Sequence, residues 1–120
     1  MQTKMIAGHE LTPGKTVKDH IHVEGTELHV PHVLLCGEQP GPTVLITAGI
    51  HNAEYVGIQA AIELSNELDV SMLRGNVILV PLVNRSGFEN RTMSRVFEDG
   101  KNLNRVFPGD REGSEAERLA

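Results

Sequence analysis

The sequence predicts an α/β fold, the N-terminal part of a mixed, largely parallel sheet flanked by helices. Residues 43–49 (Thr-Val-Leu-Ile-Thr-Ala-Gly) are apolar on both faces, as suits a central strand of a parallel sheet. The period then changes, and Ala53, Val56, Ala60, Ala61, Leu64 and Leu68 recur at helical spacing. After Gly75 a second apolar run, residues 76–83, completes a strand–helix–strand unit. Such a unit places its two strands parallel through a right-handed crossover, with both carboxyl ends at one edge of the sheet.

A length of 120 residues suits one compact domain. Residues 1–14 show no clear period and read as a lead-in, so the domain portion is residues 15–120. Residues 15–24 alternate, with Val17, Ile21 and Val23 apolar; Gly25-Thr26 makes a turn, and residues 27–36 form a second strand. Together they predict a hairpin with one wet face. Pro31 favours an edge or a bulge over a central place in that strand, because it cannot donate to a ladder. Residues 37–42, Gly-Glu-Gln-Pro-Gly-Pro, predict a loop, and 86–104 a longer polar loop. Near the end, Ser114-Glu115-Ala116-Glu117 fits the capping box that opens a helix. Only three residues follow, too few to offset the cost of nucleation, so the expectation is a chain cut within the first turns of a helix.

Composition narrows the function classes. Sixteen acidic against eleven basic residues give a net charge of −5, and no basic cluster offsets it. Nucleic acid and anionic membranes are therefore not expected partners. The longest apolar runs, 33–36 and 77–83, are far too short to span a bilayer. The N-terminus lacks the charged-then-apolar pattern of a secretory signal. The single cysteine, Cys36, cannot form an internal disulfide and reads as a buried strand residue. The setting these features suggest is cytoplasmic.

Chemistry concentrates at the carboxyl end of the 43–49 strand, the edge where open α/β sheets bind ligands. His51 and Glu54 sit there three residues apart, close enough in sequence to reach one metal ion, with Glu54 near a helix N-terminus that favours its charged form. The pair alone also arises by chance, and it is neither H-E-x-x-H nor H-x-x-E-H, since Tyr55 holds the fifth position. Asn84-Arg85 reaches the same edge from the second strand. A second motif, Asp99-Gly-Lys-Asn-Leu-Asn-Arg-Val-Phe-Pro-Gly109, holds Asn104 and Arg105 between two turns, which can present a guanidinium fork to a carboxylate. A structural loop with the arginine tied to backbone carbonyls is the other reading. His20 and His22, two apart, project from one strand face, and His29 and His32 from opposite faces. With Asp19 and Glu24 nearby, a wet polar face accounts for them better than a metal site.

In their order, Gly-Ile-His51-x-x-Glu54-Tyr-x-Gly, Gly-x-Val-Ile-x-Val-Pro and Asp-Gly-x-Asn-Leu-Asn104-Arg105-x-Phe-Pro-Gly resemble the succinylglutamate desuccinylase/aspartoacylase family, relatives of the zinc carboxypeptidases. The resemblance covers about residues 25–120. It implies a zinc-carboxypeptidase-like sheet and zinc as cofactor, with His51 and Glu54 as two of its ligands. It further implies Asn104 and Arg105 gripping a substrate carboxylate, and Arg95 (Arg91 is a weaker match) stabilising the oxyanion. The implied reaction is hydrolysis of an amide in an N-acyl amino acid or similar small amide, through a zinc-polarised carbonyl and an activated water. Asn52 stands where the family has glycine, a turn position asparagine also tolerates. The family's third ligand, a histidine, and its general base, a glutamate, are expected beyond residue 120, so residues 1–120 alone are expected to be inactive and to bind zinc weakly. A peptide-cleaving carboxypeptidase shares all these residues, and a non-catalytic binding fragment is the remaining alternative. A sheet with one recognisable full helix should also leave one face uncovered and able to self-associate.

Overall fold

The computed structural model describes residues 4–120. Residues 1–3 of the expected lead-in lie outside the described residues. The rest of the lead-in is more ordered than its sequence suggests. β1 (Met5–Ile6) and β2 (His9–Glu10) pair antiparallel. Ala7 and Gly8 turn them with φ of 50° and 79°, the positive angles a tight hairpin needs. Two-residue strands are too short to show a period.

The main sheet has the order β3-β4-β6-β5, with β3 (Thr16–His22), β4 (His29–Cys36), β5 (Gln39–Thr47) and β6 (Arg74–Val80). It is mixed, as expected, but among the described strands only β5 and β6 run parallel, while β3–β4 and β4–β6 are antiparallel. The expected hairpin is β3–β4, with His22 opposite His29. Pro31 finds its place although β4 is internal. Cys36 N–H donates to Lys15 O at 3.0 Å, so by alternation the Pro31 nitrogen points away from β3. On that side β6 pairs only with Val33–Cys36, so no ladder bond is lost.

Two strand expectations need correction. The loop 37–42 is shorter than expected, because β5 begins at Gln39 and skips register before Thr43. The skip accommodates Pro40 and Pro42, and Gly75 makes it possible: at φ 82°, a Cβ there would stand 2.0 Å from Pro42 O. Among the described residues the 43–49 stretch, expected to be central, lies at the edge of the four strands. Val44 and Leu45 are 48 % and 62 % exposed, because among the described residues β5 has a neighbour on one side only.

α1 (Tyr55–Glu67) crosses back between β5 and β6. It lays Ala61 and Leu64 on Val33, Leu35, Val77 and Leu79, closing the core on one face. A second cluster, Val83, Val96, Leu103 and Ala116, anchors the loops beyond β6. These loops contain α2 (Arg85–Asn90), unexpected from the sequence, and a 3₁₀ turn, Leu103–Arg105. α3 (Glu115–Leu119) starts where the capping box placed it, but the cap differs. Ser114 makes no side-chain cap bond; Asp99 Oδ2 accepts the Ala116 N–H at 2.8 Å instead. The opposite sheet face opens into a cavity of about 750 Å³ lined by Ile21, Val30, Leu45, Val80, Phe107 and Leu119. Among the described residues no helix is long and apolar enough to cross a membrane.

Candidate metal and substrate site

His51 and Glu54 occupy the turn between β5 and α1, at the carboxyl end of β5. Glu54 is the N-cap residue of α1, yet its carboxylate caps nothing. It turns instead to His51, with Oε2 2.9 Å from Nδ1. An N-cap side chain ordinarily accepts a backbone N–H of the first turn, so this contact displaces a favourable bond.

The other ring nitrogen defines the tautomer. His51 Nε2 lies 2.9 Å from Asn102 Oδ1, and the same oxygen accepts the Asn104 backbone N–H at 3.0 Å. The second bond identifies that atom as the amide oxygen, so His51 Nε2 carries the proton. Nδ1 is then left with its lone pair facing a carboxylate oxygen. Only a cation or a second ring proton satisfies both atoms. An imidazole nitrogen, an adjacent carboxylate and a fixed N–H on the far side of the ring are the donor set and outer support that zinc takes. The chain's residues thus fit the metal, but as two ligands. Among the described residues no group of three His, Cys, Asp or Glu converges.

Asn104 and Arg105 lie on the 3₁₀ turn that Asn102 caps, directly beyond the His51 contact. Arg105 is exposed and enters none of the ion pairs among the described residues. Arg95 is brought in by an antiparallel bridge to Asn102, but its Nη1 donates to Gly100 O at 2.9 Å, so its fork is partly tied to the loop. Arg91 is the left-handed C-cap of α2, with φ 56°, and no bond links it to His51 or Glu54. The structure therefore joins His51, Glu54, Arg95 and the Asn104–Arg105 turn through Asn102.

Three asparagines carry this arrangement; the sequence placed Asn84 at this edge and Asn52 in the turn after His51, but assigned none of the three side chains a contact. Asn102 holds His51. Asn52 does not adopt the left-handed backbone expected of it; it is 2 % exposed, and its Oδ1 accepts from Asn84 Nδ2 at 3.1 Å. Asn84, fully buried, caps α2 by accepting the Gly87 N–H at 3.2 Å. An asparagine just after the apolar run 76–83 is a candidate N-cap, and it could have pointed to α2.

Among the described residues the remaining histidines join no group of three metal-ligating side chains. His22 and His29 rings lie 5.0 Å apart on the exposed hairpin, and His22 Nε2 contacts Thr26 O at 2.6 Å. His9 pairs with Asp19 at 2.8 Å. His32 departs from the wet-face reading, being 4 % exposed.

The catalytic-domain model of the succinylglutamate desuccinylase/aspartoacylase family matches residues 40–120, more than half of the chain. The chain belongs to this family. It is 46 % identical over 81 residues to the N-alpha-acetyl-L-2,4-diaminobutyric acid deacetylase of Halomonas elongata, a match covering 67 % of this chain and 23 % of the deacetylase. An aspartoacylase family protein from Mesorhizobium loti superposes with a TM-score of 0.80 at 35 % identity, over 99 % of this chain and 37 % of that one. The product-bound ectoine utilization protein EutE of Ruegeria pomeroyi superposes with a TM-score of 0.76 at 27 % identity, over 92 % and 35 %. These relatives share a carboxypeptidase-like fold, and the family's named activities are deacylations. The chain spans about a quarter of the length of the deacetylase, at 23 %.

Proposed function

We propose that the protein to which this chain belongs is a zinc-dependent deacylase that hydrolyses the amide bond of an N-acyl amino acid. The observation that carries the reading is the chain of contacts from Glu54 through His51 to Asn102 and the Arg105 turn. Those contacts support reading His51 and Glu54 as a metal donor pair, and Arg105, which enters no ion pair among the described residues, as the group that takes the substrate. His51 Nδ1 and Glu54 Oε2 would hold zinc, with a third ligand and the general base drawn from the remaining length of the protein, beyond residue 120. When bound, zinc supplies polarisation of the scissile carbonyl and a readily deprotonated water.

The chain's own residues supply orientation and charge. Asn102 keeps the His51 proton on Nε2 and so presents the Nδ1 lone pair. Arg105 and Asn104 would take the substrate carboxylate, where a planar fork gives both direction and attraction. Arg95 would face the developing oxyanion with its remaining donors, a role in which fixed charge counts most. The partner is thus a small molecule, an acyl amino acid, and the setting we propose is the cytoplasm. The uncovered sheet face would make residues 1–120 alone prone to self-association.

The test is hydrolysis by the full-length protein of N-alpha-acetyl-L-2,4-diaminobutyric acid, acyl-aspartate, acyl-glutamate and short peptides. The expected result is amine release from an acyl amino acid, lost on chelation and restored by zinc. Cleavage of peptides in preference to acyl amino acids would move the protein to the carboxypeptidases. No hydrolysis of either would remove the enzymatic reading.

A further inference from the structure

Behind the candidate site lies a buried polar cluster that none of the proposed chemistry uses. Asn84 Oδ1 accepts the Gly87 N–H, which fixes the amide and leaves Nδ2 as donor. Nδ2 spans two acceptors at 3.1 Å each, Asn52 Oδ1 and the Arg95 backbone carbonyl. Thr92 Oγ1 lies between the same acceptors, 3.3 Å from Asn52 Oδ1 and in close contact with Arg95 O. Asn52 and Asn84 are 2 % and 0 % exposed. Main-chain bonds run alongside: Ala53 N–H to Met93 O and Asn84 N–H to Gly49 O, both at 2.9 Å. Gly87 closes the packing, since a Cβ there would stand 2.6 Å from Asn84 Nδ2 and 2.7 Å from both Arg95 O and Thr92 Oγ1.

The loop so held is not one the chain would adopt unaided. Arg91 and Met93 sit at φ 56° and 72°, angles that side chains other than glycine rarely take and that persist only where surrounding bonds impose them. The far end of the loop is tied as well, by the bridge between Arg95 and Asn102, and Asn102 holds His51. His51 is the neighbour of Asn52. The contacts therefore close a ring from His51 through Asn52, Asn84, Arg95 and Asn102 back to His51. Apolar side chains could fill the same space, but they would not fix one register between loop and turn, which a satisfied buried network does.

We propose that Asn52 and Asn84 are positioning residues that set Arg95 at a fixed place relative to His51 and Glu54. The proposal rests on the deacylase reading for its kinetic consequence and on the contacts alone for its structural one. Asn52 at the position after the histidine then has a reason: its side chain, not its backbone freedom, is what the turn uses.

The experiment is a double-mutant cycle in the zinc-loaded full-length protein, with Asn52→Ala, Asn84→Ala and Arg95→Ala singly and in pairs. Each asparagine variant is expected to lower kcat about 10- to 100-fold, the scale of a small misplacement of a reacting group, with KM and zinc content near wild type. In the Arg95→Ala background the same substitutions should cost little more, because their effect passes through Arg95. Multiplicative losses overturn the proposal, since they would mean general loosening. An Arg95→Ala enzyme with wild-type kcat also overturns it, while leaving zinc-dependent deacylation standing. A readout free of activity covers the case in which no acyl amino acid is turned over. Amide hydrogen exchange over residues 91–96 should accelerate in Asn52→Ala and Asn84→Ala more than exchange in β6 does. Unchanged exchange in that loop refutes the positioning role. Asn52→Ala, the substitution outside the α2 cap, serves if Asn84→Ala does not fold.

Discussion

Replacing Asn102 by alanine isolates the link between the proposed metal pair, His51 and Glu54, and the Asn104–Arg105 turn. The side chain accepts two hydrogen bonds through one oxygen, from His51 Nε2 at 2.9 Å and the Asn104 N–H at 3.0 Å. Each is worth about 1 kcal/mol net. Asn104 is exposed, so water replaces most of the second bond. The first matters more, because loss of the outer partner of a metal-binding histidine typically costs about 10- to 100-fold in metal affinity. The His51 side chain is 29 % exposed, which lets water reach the ring, so the lower end applies. The expectation is about a tenfold weaker zinc Kd for Asn102→Ala, roughly 1.4 kcal/mol. Chelator competition in the full-length protein measures it, and ¹⁵N spectra of the imidazole report the tautomer directly. Asn102→Asp should keep the Nε2–H tautomer and bind zinc at least as tightly, since a carboxylate accepts the same proton. An unchanged Kd and tautomer in Asn102→Ala would show that Asn102 does not hold the ring, and the tautomer argument would fall.

Three further outcomes follow from individual contacts. Burial of both ring nitrogens lowers the His32 pKa below its usual 6.5, with the neighbouring Asp19 charge opposing and His9 adding to it. The unfolded chain then binds more protons, so the neutral ring's contribution is complete above about pH 6.5 and is lost as pH falls from there through the lowered folded value. Melting temperature measured from pH 7.5 to 5 should drop, by at most about 1.4 kcal/mol of stability per pH unit from this group, and His32→Leu should flatten the slope. Arg105→Lys should raise KM about tenfold or more, with zinc content unchanged, because an ammonium cannot match a carboxylate bidentately; an unchanged KM would remove Arg105 from the substrate. Asp99→Ala should free the Ala116 N–H and destabilise α3 by about 1 kcal/mol, visible as faster exchange in residues 115–119.

Periodic features were legible in the sequence. The hairpin, the crossover helix and β6 follow from alternation and a 3.6-residue stripe, and the strand-to-helix change marked where His51 and Glu54 would meet. Position within the sheet was less legible: an apolar run such as Thr43-Val-Leu-Ile reads as central whether or not both its edges are paired, and among the described residues β5 is paired on one side. β1, β2 and α2 are shorter than the window in which a period shows. The asparagine contacts were hidden for a different reason. Asn52 and Asn102 accept through side-chain oxygens and Asn84 donates through Nδ2, across separations of 32 and 51 residues at which local pattern carries no signal. His32 reads as one polar residue among several on β3 and β4, and only the hairpin β1–β2, which brings His9 to 6.0 Å from its ring, shows that this part of the strand face is covered.

Zinc stoichiometry of the full-length protein and its histidine variants tests the central claim most directly. Wild type and His20→Ala should each retain one zinc per chain after dialysis, while His51→Ala and Glu54→Ala should lose it, since catalytic zinc is held by only three protein ligands. Zinc retained in His51→Ala, or lost in His20→Ala, would place the metal elsewhere and contradict the account.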